Sequence, residues 1–166
     1  MDRLWTPWRL AYVTAASQGD PGCVFCAAQA SAPGPDSLII HRGGSCFVIL
    51  NLYPYNNGHL MVVPGRHCGR LSELTAPELD ELMRLTRAAE MALEERYHPH
   101  GFNMGLNLGK SAGAGVLDHL HMHIVPRWNG DTNFMTVVGE TRVLPETLDE
   151  TARQLGPLVA RFAASA

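Results

Sequence analysis

The stretch Asp118-His119-Leu120-His121-Met122-His123-Ile124-Val125 sets three histidines in strict alternation with apolar residues. Successive side chains of a strand point to opposite faces. His119, His121 and His123 then line one face at about 6–7 Å intervals, and Leu120, Met122 and Ile124 face the core. A row of imidazoles has three readings. They are polar residues on the solvated side of an amphipathic strand, or metal ligands of the kind zinc and copper take, or a catalytic set in which one imidazole attacks while its neighbours orient it. The preceding loop, Gly109-Lys110-Ser111-Ala112-Gly113-Ala114-Gly115, carries three glycines in seven residues beside a Lys and a Ser. Its backbone N–H groups can come close to an anion, and a phosphate held beside imidazoles points to phosphoryl or nucleotidyl transfer.

Four cysteines form the other reactive set. Cys46, in the apolar run CFVIL, reads as a small buried hydrophobe, and Cys68 follows His67 without an evident role. Cys23 and Cys26 form a Cys-x-x-Cys pair, open to packing, metal or redox readings.

The elements that must position these groups are short. Residues 27–36 are small and Pro- and Gly-bearing and read as a surface loop. Strand-like runs follow at 38–41, 46–50 and 60–63, separated by Gly43-Gly44 and by Tyr53-Pro54-Tyr55-Asn56-Asn57-Gly58, which favours antiparallel hairpins. Thr75-Ala76-Pro77-Glu78 is a helix start with Thr as N-cap, and Pro99 and Gly101 end that helix. Strands are expected at 102–108 and 119–125, with another at 134–138. Pro145 opens a last helical pattern, which Gly156-Pro157 should kink or divide. Hairpins of strands with helices held apart from them make an α+β domain. One domain spans 1–166, with an amino-terminal segment 1–36, a core 38–128 and a carboxy-terminal strand and helix in 129–166. The aromatic start, with Trp5 and Trp8, should dock onto the body or a second subunit.

Composition narrows the class. The chain has 166 residues, 13 Lys+Arg against 16 Asp+Glu for a net charge of −3, and 46% hydrophobic content. That length supports one core, and that apolar content excludes a disordered chain. The acidic balance argues against a nucleic-acid partner, whose backbone demands clustered Lys and Arg. The longest apolar run is about five residues, against ~20 for a membrane helix, and no signal peptide is evident. A soluble cytoplasmic protein with reduced cysteines is expected.

The run His119 to Val125 resembles the histidine triad signature, His-φ-His-φ-His-φ-φ with φ apolar. The likeness extends to Asn51-Leu52-Tyr53-Pro54-Tyr55-Asn56-Asn57-Gly58-His59-Leu60-Met61-Val62-Val63-Pro64, similar to the family's nucleoside-binding hairpin. It extends also to Gly101-Phe102-Asn103-Met104-Gly105-Leu106-Asn107-Leu108-Gly109, similar to the strand before the triad. Leu4-Trp5-Thr6-Pro7-Trp8-Arg9 and Pro126-Arg127-Trp128-Asn129-Gly130-Asp131-Thr132-Asn133-Phe134 resemble the branch of bacterial diadenosine tetraphosphate phosphorylases.

The resemblance implies a single α+β domain with an antiparallel sheet of about five strands and helices packed on it. It implies His121 as nucleophile on the α-phosphorus, His123 as donor to the phosphate oxygens and His59 as support. Asn51 would take the ribose hydroxyls and Asn107 would lie at the phosphate end. Lys110, Ser111, Gly113 and Gly115 would form the phosphate loop. Cys23, Cys26, His67 and His119 are implied as ligands of a structural zinc, against reduced cysteines or a labile disulfide with His67 on the surface. Gly115 stands where the family's hydrolases usually carry Gln, and Val116 where Ser or Thr often lies beside it. That departure counts against ordinary hydrolysis and leaves Ser111 or Lys110 to take over the missing contacts.

The implied reaction is nucleotidyl transfer from a dinucleoside polyphosphate to inorganic phosphate. Hydrolysis of a dinucleoside polyphosphate or a nucleoside phosphoramidate through the same intermediate, or a nucleotide-binding module without turnover, are the alternatives. A divalent cation accompanying the substrate and a homodimer or higher homo-oligomer are compatible with the family.

Overall fold

The chain was described through a computed structural model covering residues 22–31, 37–131 and 145–165. Two apolar runs, Cys46–Leu50 (β2) and Leu60–Pro64 (β3), are buried at every position. That requires cover on both faces of the sheet they share, and the molecule supplies it. Strands β1 (Ile39–Arg42), β2, β3, β5 (Met122–Arg127) and β4 (Gly101–Leu106) form a five-stranded sheet in the order β1-β2-β3-β5-β4, every pair antiparallel.

On one face Val48, Leu50, Leu60, Val62 and Ile124 pack with Leu82, Leu85, Ala89 and Leu93 of α2 (Ala76–Tyr97) and Leu155 and Val159 of α3 (Leu148–Ala164). On the other, Phe47, Ile49, Met61 and Val63 pack around Phe25 of α1 (Val24–Ala30). The α+β architecture expected from the hairpin pattern is the one found. No described helix is long and apolar enough to cross a membrane.

Local chemistry sets the helix bounds. The Thr75 hydroxyl accepts the Glu78 N–H while the Glu78 carboxylate accepts the Thr75 N–H at 2.7 Å, a reciprocal cap. His98, in left-handed conformation at φ 46°, ends α2. Glu81 reaches from α2 to the β1–β2 turn and accepts the N–H groups of Gly44 (2.8 Å), Ser45 (2.5 Å) and Cys46 (3.0 Å) as well as the Ser45 hydroxyl.

Three expectations need correction. Residues 27–30 belong to α1 rather than to a loop. Ala27, Ala28, Gln29 and Ala30 favour helix, and Phe25 anchors that helix to the sheet. Gly156-Pro157 does not divide α3, because Thr151, Leu155 and Val159 are buried on both sides of it. The triad strand starts at Met122, so His119 and His121 precede the ladder. Pro64 has no N–H to extend that ladder, and the Leu120 N–H donates instead to the Cys68 carbonyl at 2.7 Å. The expected strand 134–138 and the aromatic amino terminus lie outside the described residues.

Candidate active site

His121 is 5% exposed. Its Nδ1 donates to the His119 carbonyl at 2.8 Å, so the ring proton sits on Nδ1 and the Nε2 lone pair is bare. Burial pushes its pKa below the ordinary histidine value, and the bond to the His119 carbonyl only partly opposes this. The ring is therefore neutral near pH 7, as a nitrogen nucleophile must be.

His123 lies beside it, the rings 4.8 Å apart and nearly perpendicular. Its tautomer is set by a relay. The Tyr55 backbone N–H donates to His59 Nδ1 at 3.1 Å, which leaves the His59 proton on Nε2. That Nε2 lies 3.0 Å from His123 Nδ1 and donates to it, so His123 in turn keeps its proton on Nε2. Two neighbouring rings thus present complementary nitrogens, a lone pair on His121 and an N–H on His123. The Tyr55 ring lies against His59 (4.8 Å) and stacks on His123 (6.2 Å), backing both rings of the relay.

His119 belongs to a different cluster. Its Nε2 donates to the Pro64 carbonyl at 2.8 Å, which aims the Nδ1 lone pair at Cys23 Sγ (3.1 Å) and Cys26 Sγ (3.6 Å). His67 Nδ1 lies 3.4 Å from Cys26 Sγ, and the four donor atoms all fall within 4.8 Å of one another. A tetrahedral zinc with bonds of about 2.3 Å to sulfur and 2.0–2.1 Å to nitrogen separates its donors by roughly 3.3–3.8 Å. The four residues fit that ion, with a closed donor set and a carbonyl fixing the His119 tautomer. Burial, then the adjacent Cys23 thiol, push the Cys26 pKa up. Two thiols crowded this way are suited to losing their protons to a divalent cation.

A groove of about 350 Å³ runs along β4 and β5 from His123 to Arg127, lined also by Tyr55, Asn103, Gly105 and Asn107. His123 and Asn107 line this groove, while His59 and His121 lie behind its lining and meet it through their contacts with His123. Asn51 sits at the end of β2, where its Oδ1 accepts the Tyr53 N–H at 2.9 Å and its N–H donates to the His59 carbonyl at 3.0 Å. It is outside the lining of this groove. The glycine loop closes partly on itself. The N–H groups of Ala112 and Ala114 donate to the Gly109 carbonyl, and that of Gly113 to the Lys110 carbonyl. Lys110 and Ser111 are exposed on its single 3-10 turn, Gly113 and Gly115 are half-buried, and none of the four lines the groove.

Three features escaped the sequence reading. Tyr55 completes the relay through its backbone N–H, a role no side-chain pattern signals. Phe25 carries the second core cluster, and its place between the two cysteines was the available clue. Arg127 grips Asp131 with Nε (2.6 Å) and Nη2 (2.9 Å) and donates from Nη1 to Asn103 (2.5 Å). These bonds with Arg127 hold the Asp131 carboxyl below the usual carboxylate range. Period-two alternation from His123 places Arg127 on the same face.

Comparison with known proteins identifies the family. The HIT domain family matches residues 34–130, more than half of the chain. The AP-4-A phosphorylase of Mycobacterium tuberculosis is 45% identical over 167 residues, covering 97% of this chain and 86% of that protein. The asymmetrical bis(5'-nucleosyl)-tetraphosphatase of Schizosaccharomyces pombe is 34% identical over 95 residues, 57% of this chain and 52% of that one. A crystal structure of a Zn-bound histidine triad family protein from Mycobacterium smegmatis superposes with a TM-score of 0.68 at 28% identity, covering 89% of this chain and all of that one. With a family match across the core and a relative 45% identical over nearly the whole chain, the chain belongs to the HIT domain family.

Proposed function

We propose that the protein is a nucleotidyltransferase that cleaves diadenosine tetraphosphate with inorganic phosphate to give ATP and ADP. The observation that carries the reading is the bare Nε2 of His121 beside the N–H of His123. The His121 lone pair attacks the α-phosphorus, and the bond from that phosphorus to its bridging oxygen breaks. The electron pair leaves on ATP, and adenylyl remains on Nε2. A phosphate oxygen then attacks the same phosphorus, the P–N bond returns its pair to His121, and ADP departs. His123 Nε2–H donates to the phosphate oxygens as their charge grows. His59 holds His123, Asn107 lies at the phosphate end of the groove, and Asn51 takes the ribose hydroxyls. The glycine loop, with Lys110, Ser111, Gly113 and Gly115, lies nearer the leaving phosphates. The 45% identity to a phosphorylase across nearly the whole chain supports phosphate as acceptor.

The reading includes zinc on Cys23, Cys26, His67 and His119, closed by four protein donors and so structural. The likeness to a Zn-bound family protein supports it. A reducing, cytoplasmic setting fits four cysteines that are all free thiols. A homodimer or higher homo-oligomer, checked by mass in solution, completes it.

Incubation with diadenosine tetraphosphate tests the reaction. ATP and ADP should appear only when phosphate is added. AMP formed without phosphate would make the enzyme a hydrolase. His121→Ala should abolish turnover and leave nucleotide affinity within about tenfold, and turnover retained by that variant would refute the mechanism.

A further inference from the structure

Phe25 is 5% exposed and lies one residue before Cys26 and two after Cys23. Its ring centroid is 5.1 Å from that of His121 and 5.4 Å from that of His119. His121 is anchored by a single Nδ1 hydrogen bond, about which the imidazole could still swing. Phe25 stands against one part of the ring and His123, at 4.8 Å, against another.

The helix that carries Phe25 cannot hold the ring there unaided. Helix α1 has seven residues, and its N-cap residue Cys23 makes no side-chain cap bond. Isolated helices of that length are unstable in water. Besides the packing of Phe25 itself against Phe47, Ile49, Met61 and Val63, two polar ties hold its ends. At its C-terminal end Arg42 Nη1 and Nη2 donate to the carbonyls of Gln29 (3.2 Å) and Ser31 (3.4 Å). At its N-terminal end, Cys23 and Cys26 join the cluster with His67 and His119.

We infer that Phe25 is a positioning residue for the His121 nucleophile, and that the metal held by Cys23, Cys26, His67 and His119 governs the rate of nucleotidyl transfer by fixing α1 and hence this ring. The inference rests on His121 being the nucleophile. A displacement of about 1 Å in a reacting group costs on the order of a hundredfold in rate, which sets the upper size of the effect.

The test uses the zinc-loaded full chain, with nucleotidyl-His121 formation followed by rapid quench and intact mass after mixing with diadenosine tetraphosphate. Phe25→Ala should retain one zinc equivalent by metal analysis and a KM within about threefold. Its rate of nucleotidyl-enzyme formation should fall about 10- to 100-fold, the range that such a displacement allows. Phe25→Leu, which refills most of the volume, should recover most of that loss. Stripping zinc from the wild type should reproduce the loss with Phe25 still present, an arm that stands even where Phe25→Ala fails to fold. Stripping Phe25→Ala should then add no more than about threefold, because both changes act through one ring.

An unchanged rate in Phe25→Ala overturns the inference. A rise in KM at constant rate also overturns it, by assigning the ring to substrate binding. A fully additive effect of zinc removal overturns the link to the metal. Failure to trap any nucleotidyl-enzyme in the wild type would instead overturn the proposed function.

Discussion

The relay through His59 makes a quantitative prediction. Asn at position 59 can keep an acceptor near the Tyr55 N–H, where His59 Nδ1 now sits at 3.1 Å, but it is too short to replace the Nε2 donor 3.0 Å from His123. His59→Asn therefore removes one bond from His123 and leaves the loop bond in place. A buried neutral hydrogen bond is worth about 1–1.5 kcal/mol net. At 1.36 kcal/mol per tenfold, nucleotidyl-enzyme formation should slow roughly 5- to 15-fold. His123→Ala removes the donor itself and should cost about 10²–10³, as loss of an oxyanion donor does. His59 acts only through His123, so the double variant should match His123→Ala within about twofold. Rapid-quench measurement on the three variants decides the matter. A double variant slower than His123→Ala by the whole His59→Asn factor would refute the relay, and so would a His59→Asn enzyme with the wild-type rate.

Chelation of the metal should lower Tm. If zinc is present at about 100 times its Kd, it contributes about 2.7 kcal/mol. At about 2–4 °C per kcal/mol for a chain of this size, calorimetry should register a fall of roughly 5–10 °C, and an unchanged Tm in metal-free protein would exclude a structural role. Glu81→Gln should destabilise by about 1.5–3 kcal/mol in urea titration, the worth of a hydrogen bond to a charged group. Burial alone would raise the Glu81 pKa, but bonds from Ser45, Gly44 and Cys46 carry it below its ordinary value of 4.5. Its contribution is therefore present above that value and is lost as pH falls through the lower folded value, so the gap between wild type and Glu81→Gln should close on acidification. A gap that widened there would reverse the assigned sign. Thr75→Ala, which opens the reciprocal cap of α2, should cost about 1 kcal/mol without touching kcat.

What the sequence displays depends on whether a constraint is local. Continuous apolar runs marked β2 and β3, because a sheet covered on both sides leaves such runs in its central strands, and period-two alternation marked the histidine run. The Thr75 cap was legible for the same reason, since both partners lie within four residues. Helical spacing alone does not give the buried face of α2. Leu79 and Met83 fit the helical stripe yet are exposed, while Leu85, Ala88 and Ala92 are buried. Periodicity tolerates a rotation that only the packed sheet and α3 decide.

The site divides in the same way. His59, His121 and His123 were recognisable by type and spacing, and so were Cys23, Cys26, His67 and His119, because their chemistry restricts which residues can serve. The tautomers were not recognisable. They depend on three main-chain groups: the Tyr55 N–H and the carbonyls of His119 and Pro64. Each of these is an atom every residue type offers, so no side chain advertises it. Residues 119 and 121 also leave the ladder at the point where Pro64 ends it. The carbonyl of His119 is thereby free to accept from His121, while the His119 ring turns to the cysteines. The same break in the strand thus separates a metal ligand from a nucleophile two residues away, and an uninterrupted strand would have left His119 in the row with the other two.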